Sequence, residues 1–308
     1  MTDRRCACGI ELLDRRLQGM HLAGSIYGRL PRTNALLPKE HGSIEDIMAW
    51  IEELLGRTLV LVAHPDDECI AFGALLQRIR EPIVVFATNG SPQDPYFWQQ
   101  YGSREAYAGL RREEAFASMH AAGVKDVIFL PDLPGGDLLV DQELFQHLRP
   151  AYSLLSELVR RRMVQALLTL GYEGGHPDHD SCSFLAAQLA RCFNLPCWEA
   201  PLYHRLPEGG GVFQAFIGTA SEEVEVKPTS AEQGAKLEMC LAYSSQGDFL
   251  ARFDLSKELV RPQPAYDFTK PPHEGKTNYE VWQWTMTAQD VCEAFAEFLQ
   301  EEDKTRRP

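Results

Sequence analysis

The sequence contains no hydrophobic run of the roughly 18 residues that a membrane-spanning helix needs, although 44% of its 308 residues are hydrophobic. Its opening stretch, Met1-Thr-Asp-Arg-Arg-Cys6, has charge but no apolar segment behind it, so it does not read as a secretory leader. Positive charge is in deficit: 30 Lys and Arg stand against 44 Asp and Glu, a formal net charge of −14. A nucleic-acid footprint needs a basic face to replace the counterions on phosphates, and docking on anionic lipid asks for the same. Neither partner is expected. The eight cysteines (Cys6, Cys8, Cys69, Cys182, Cys192, Cys197, Cys240 and Cys292) include no C-x-x-C pair, and Cys6-Ala-Cys8 is too tight for a zinc knuckle. Scattered cysteines of this kind pack as small apolar residues in a reducing compartment. The expectation is a soluble, cytoplasmic protein. No Gly-x-Gly-x-x-Gly fingerprint lies between Arg57 and Gly73, which removes a dinucleotide-binding reading, and there is no internal repeat.

What is present is an alternation of short apolar runs and helix-like stretches. Thr58-Leu-Val-Leu-Val-Ala63 is continuous and rich in β-branched residues, the mark of a strand buried on both faces. Pro82-Ile-Val-Val-Phe-Ala87, Asp126-Val-Ile-Phe-Leu130 and Val164-Gln-Ala-Leu-Leu-Thr-Leu170 repeat the pattern, and Pro196–Tyr203 reads as a fifth strand. Between them, Ile70, Leu75, Leu76 and Ile79 recur at helical spacing, and Arg104–Ala122, Leu144–Arg162 and Ser181–Phe193 read as helices. Strands alternating with helices imply right-handed βαβ crossovers. The predicted fold is therefore α/β: a Rossmann-like three-layer αβα arrangement with a mostly parallel sheet and a C-terminal extension. Residues 1–55, with a lead-in helix over Ile44–Leu55, are expected to form an N-terminal extension. Residues 56–308 are expected to form a single domain in which 204–308 is the C-terminal extension. That extension reads as a strand at Val212–Ile217, a helix at Ala231–Ala242, a Pro-rich loop at Arg261–His273 and one long helix over Asn278–Gln300.

Chemistry is expected just beyond the carboxyl ends of such strands. The first buried strand runs straight into His64-Pro65-Asp66-Asp67-Glu68. Pro65 keeps His64 extended and is itself suited to the first position of a helix, so Asp66 and Asp67 fall in the first helical turn, where ionised carboxylates are favoured. The fourth strand is followed by a glycine-rich loop and then His176-Pro177-Asp178-His179, the same grammar again. With the two strands adjacent, the two turns face each other across one crevice. They supply two histidines and one carboxylate to a metal with an open fourth position, a catalytic and not a structural zinc pattern. A single His-Pro-Asp turn is ordinarily just a helix start; two of them, each ending a separate buried strand, point to a metal site. His21, His41, His120 and His147 read as surface or locally bonded residues, whereas His204 and His273 stay open as members of a substrate rim.

These residues resemble a known family. Ala63-His-Pro-Asp-Asp-Glu68 with His176-Pro-Asp-His179 is similar to the zinc-dependent de-N-acetylases of the PIG-L/LmbE-like superfamily, which cleave N-acetyl groups from amino-sugar conjugates. Arg111-Arg-Glu-Glu-Ala115 resembles that family's Arg-x-x-Glu-Ala helix, and Ala242-Tyr-Ser-Ser-Gln246 a later segment; the resemblance spans roughly 57–250. It implies that His64, Asp67 and His179 hold one zinc per chain, another divalent metal being left open. It further implies that Asp66 is the general base toward the attacking water, and that His176 stabilises the oxyanion or protonates the leaving amine. Asp178 is a candidate to orient His176. Arg111 corresponds to a substrate-contacting arginine, and Asp132, with Asp137 as its alternative, to a sugar-hydroxyl binder. One departure stands out: some members carry a tyrosine two residues before the first histidine of the second motif, where this chain has Gly174, with Tyr172 as a possible substitute.

The resulting expectation is a metal-dependent hydrolase that removes an acyl group, acetyl foremost, from an N-acylated small-molecule sugar conjugate, with a homo-oligomer left open. The alternatives are an amidase that cuts a larger sugar-thiol or peptide conjugate and a non-catalytic sugar-binding protein of the same fold. A degenerate binder is expected to lose the base or a ligand, and all of them are present. Tyr96, Phe97, Trp98, Tyr172, Trp198 and Tyr203 are the aromatic residues considered for stacking on a sugar, and 262–279 is expected to shape the pocket.

Overall fold

The computed structural model describes the backbone of residues 36–38 and the segments 54–218 and 223–306. The lead-in helix expected over Ile44–Leu55 falls almost wholly outside them. The strands are β1 (Leu36–Pro38), β2 (Arg57–Val62), β3 (Glu81–Phe86), β4 (Asp126–Phe129), β5 (Ala166–Leu170), β6 (Cys197–Ala200), β7 (Tyr203–Arg205), β8 (Gly211–Phe213), β9 (Val224–Val226) and β10 (Glu258–Pro262). The helices are α1 (Asp67–Leu76), α2 (Pro95–Trp98), α3 (Arg104–Ala121), α4 (Leu148–Arg162), α5 (Pro177–Phe193), α6 (Ser230–Ala242), α7 (Gly247–Leu250), α8 (Asn278–Val281) and α9 (Ala288–Arg306).

An eight-stranded sheet has the order β1-β9-β10-β6-β5-β2-β3-β4. The run from β6 to β4 is parallel, and β10, β9 and β1 extend it by antiparallel pairing. This is the expected mostly parallel α/β fold. Because β2 is covered on both faces, its side chains divide between two cores: Val60 and Val62 pack toward α1, α3 and α6, while Leu59 and Leu61 pack toward α4, α5 and α9. In the second core Phe184 of α5 stacks on Phe295 of α9 with ring centroids 4.4 Å apart. Truncating a phenylalanine in such a place costs about 3–5 kcal/mol, so α9 is clamped to the sheet and not draped over it.

The chain moves outward through β2, β3 and β4, then returns to place β5 on the other side of β2, with Thr58 opposite Ala166 and Val60 opposite Leu168. The reversal of winding lies between β2 and β5, so the loops that leave these two neighbours diverge and open a crevice. Each carries one His-Pro turn.

The C-terminal part differs from the sequence reading. The expected helix over 278–300 is two helices, α8 and α9, separated by a turn in which Gln283 has φ +61°. Each helix has its own start. Thr277 and Glu280 cap α8 reciprocally, and at α9 the Thr287 hydroxyl accepts from Asp290 N while the Asp290 carboxylate accepts from Thr287 N. The strand expected over 212–217 shortens to β8, which pairs antiparallel with β7 in a separate two-stranded sheet.

Candidate active site

The turn after β2 is held from several sides. Asp67 Oδ2 accepts the backbone N–H groups of Ala63 (3.1 Å) and His64 (2.8 Å), and Glu68 accepts from Asp66 N at 3.0 Å. Arg111, reaching in from α3, donates to the carbonyls of Pro65 and Gly90 and pairs with Asp66 Oδ2 at 3.0 Å. Asp66 thereby sits at φ 120°, a region that non-glycine residues avoid. The turn after β5 is held differently. His176 caps α5 by accepting Asp178 N on its own Nδ1 at 3.1 Å, and Gly175 lies so near the Tyr203 carbonyl that a Cβ would stand 2.1 Å from that oxygen. Only glycine lets the loop pass there.

The two turns bring six motif residues together, all buried. The His64 and His176 rings stand 4.3 Å apart, and His179 lies 5.3 Å from the first and 5.2 Å from the second. Ligand atoms of these three histidines fall within 4.8 Å of one another, as do those of the set His64, Asp141, His176 and Asp178. Asp67 bridges two of the rings, with Oδ1 3.2 Å from His179 Nε2 and Oδ2 3.5 Å from His64 Nδ1. His179 Nε2, although buried, makes no well-directed hydrogen bond. Imidazole nitrogens and carboxylate oxygens converging in this way suit a borderline cation such as zinc, and the uncommitted His179 nitrogen is the kind of atom such an ion would satisfy.

Asp178 meets both His64 and His176. Its carboxylate accepts from Gln142 N and Leu144 N and faces His64 Nε2 at 3.1 Å, whereas His176 Nδ1 is 3.9 Å away. What the side chain orients is His64 and the 142–144 loop; toward His176 it is the Asp178 backbone N–H that acts. Arg111 is buried in the site, not solvated on α3. Asp132 does not reach the site: it pairs with Arg112 on an exposed face, because the loop turns it outward. The aspartate that arrives is Asp141, whose Oδ1 lies 3.4 Å from both His64 Nε2 and His176 Nε2. It lies in the same loop beyond β4, four residues past Asp137, with no local motif to mark it.

Electrostatics separate the carboxylates. Burial, reinforced by neighbouring Asp67 and opposed by Arg111, pushes Asp66 up to about 8. Asp141 goes the other way: against burial, His64 and His176 hold it well below the ordinary carboxylate range. Burial and the His64 charge lower His176, against the pull of Asp141. A basic carboxyl beside a low-pKa imidazole is an arrangement in which acid and base roles can be divided.

The rim is aromatic. Of the six aromatics considered from sequence, Tyr203 reaches the site, its ring 5.4 Å from His179. Tyr172 donates to the Lys270 carbonyl and packs beside Phe268, turned away from the histidines, so it does not replace the tyrosine missing at Gly174. His273 takes that space, its Nε2 3.1 Å from where a Gly174 Cβ would be. His204 is buried, with Nδ1 unbonded.

The fold agrees with what the chain is similar to. A family model described as GlcNAc-PI de-N-acetylase (PIG-L) matches residues 59–190, which include both His-Pro turns and Arg111. No curated protein compared with the sequence matches it. Among solved structures, the A40926 pseudoaglycone deacetylase Dbv21 is 16% identical, with a TM-score of 0.52 over 68% of this chain and 99% of its own. A deacetylase in complex with teicoplanin is 17% identical, with a TM-score of 0.50 over 68% of this chain and 100% of its own. The zinc-inhibited form of teicoplanin deacetylase is likewise 17% identical at 0.50, over 68% and 99%. At such identities the likeness is one of fold. Among the described residues no helix is long and apolar enough to cross a membrane. Residues 59–190 of this chain thus match the model of the PIG-L family, whose members are de-N-acetylases that hydrolyse an amide bond.

Proposed function

We propose that the protein is a metal-dependent hydrolase that removes an N-acyl group, acetyl in the first instance, from an amino sugar or a small conjugate of one. The observation that carries this is the meeting of His64, His176 and His179, with Asp67 bridging two of them, at the reversal of the sheet. In this reading His64, Asp67 and His179 hold the metal, zinc being the ion that the donor set suits best. Such an ion supplies a Lewis acid for the acyl carbonyl and lowers the pKa of a bound water.

The chain's own residues do the rest. Asp66, made basic by burial, takes the proton of the attacking water, and Arg111 fixes its carboxylate at 3.0 Å. An amide leaves poorly until its nitrogen is protonated, and His176 is the donor: it takes a proton from solvent and hands it to the amine as the C–N bond breaks, while Asp66 gives the proton it took from the water back to solvent. Asp141, 3.4 Å from His176 Nε2 and held anionic, stabilises that imidazolium. Water and amide thus become carboxylate and amine with protons in balance. Asp178 steadies His64, and Arg111 and Asp141 remain the polar groups available to substrate hydroxyls. The net charge of −14 favours a substrate without polyanionic character.

The test is a panel of N-acetylated sugars and glycoconjugates incubated with zinc-loaded protein and scored for acetate. Release from at least one pyranose carrying an N-acetyl group, abolished by a chelator, is expected. A panel with no release, or with release indifferent to the chelator, overturns the proposal.

A further inference from the structure

The histidines have a second kind of neighbour besides carboxylates. Trp284 stands edge-on to His176 with centroids 5.0 Å apart, Trp282 is 5.1 Å from Trp284, Tyr203 is 6.4 Å from Trp282, and Tyr203 returns to His179 at 5.4 Å. With the 5.2 Å between His176 and His179, five rings close a circuit. Exposure climbs along it, from 7% at Tyr203 through half-buried Trp284 to 46% at Trp282. It therefore forms a wall from the histidines to solvent.

The wall is built deliberately by the backbone. Trp284 N donates to the Tyr279 carbonyl and Gln283 takes the left-handed conformation, a helix-ending turn that sets the two indoles side by side. Both arms are tied to the loop that carries His176. Glu173 accepts the N–H groups of Leu202 and Tyr203, and Asn278 N donates to the Gly174 carbonyl. Trp284 packs by one side against the edge of the second core, but Trp282 beside it is left 46% exposed next to the site loop, where an indole is available to a ligand. A pyranose ring is the occupant that fits the two classes of neighbour together. It has an apolar C–H face for indoles and hydroxyls for groups such as Arg111 and Asp141, the usual mix of aromatic lining and a few polar anchors in a ligand site.

We infer that Trp284, Trp282 and Tyr203 form the face on which the sugar ring of the substrate stacks, with Trp282 at the mouth setting preference for a pyranose. This rests on the hydrolase reading above. The rings act on binding and position, not on proton transfer, so their effect belongs in KM.

The test uses N-acetylglucosamine as the probe. Zinc-loaded Asp66→Asn protein, and the same protein carrying Trp282→Ala or Trp282→Phe, is titrated calorimetrically; KM and kcat are then measured with Asp66 intact. Trp282→Ala is expected to weaken binding and raise KM about tenfold, the scale of one lost aromatic contact, with kcat within about twofold, and Trp282→Phe to restore most of the loss. Unchanged affinity in Trp282→Ala, a loss confined to kcat, a change only in oligomeric state, or no binding of the sugar to the parent overturns the inference. Binding that depends on Trp282 without any acetate release leaves the wall standing and overturns the hydrolase reading instead.

Discussion

Asp66 stands at φ 120° in a conformation that costs about 1–3 kcal/mol for a residue with a Cβ. Glu68, Arg111 and the Asp67 carboxylate hold the turn in place, so the strain is maintained by its surroundings and aims the carboxylate at the site. If this residue is the base and His179 a ligand, the two can be separated by mutation. Asp66→Ala is expected to keep the metal and lower turnover by about 10²–10⁴-fold; His179→Ala is expected to lose the metal as well as the activity. Metal analysis beside acetate release distinguishes them, and near wild-type turnover in Asp66→Ala, or full metal content in His179→Ala, contradicts the assignments. Much of the site was legible at this scale because its residues sit in two contiguous motifs, each a strand, a histidine, a proline and an acid. Asp141 was not, because nothing local marks it: it reaches the histidines only when the loop after β4 folds back, with Gly136 packed where a Cβ would meet the Leu130 carbonyl at 1.9 Å.

The loop between β5 and α5 shows what one element asks of its neighbours. Glu173 lies within it, buried, with one carboxylate oxygen on two backbone N–H groups and the other without a partner. Burial raises its pKa from 4.5 to about 8, only partly offset by those two bonds. Because the folded-state value is the higher one, the associated stability is complete below about pH 4.5 and is lost as pH rises through about 8. Glu173→Gln, which keeps an acceptor but cannot ionise, is expected to show a smaller fall in thermal midpoint between pH 5 and 8 than the parent; parallel curves contradict this. The main strands and helices from β2 to α5 followed from apolar runs and helical spacing, since β2 and β5 are buried almost throughout and α3 and α4 each bury one face. The 278–300 region was misread because periodicity persists across the break. The punctuation was nonetheless written in the sequence, as Thr277-x-x-Glu280 and Thr287-x-x-Asp290, two helix starts ten residues apart.

At the scale of the molecule, two cores lie on opposite faces of one sheet, and the reversal of winding between β2 and β5 places two loops of like grammar over a shared crevice. The parallel half of the sheet was readable from the order of elements. Its antiparallel extension through β10, β9 and β1 was not, because those strands are short and pair with partners far away in sequence. The aromatic wall escaped for a similar reason, since its rings come from β7 and from the turn after α8 and meet only in the folded chain. All of this converges on one claim, that a metal held between the two turns is required for amide hydrolysis. The most direct measurement is acetate release from an N-acetylated pyranose as zinc is returned to metal-stripped protein. Activity is expected to be absent at the start and to rise in proportion to bound zinc up to one ion per chain. Full activity in the stripped protein, or a folded protein that binds no zinc, contradicts the account.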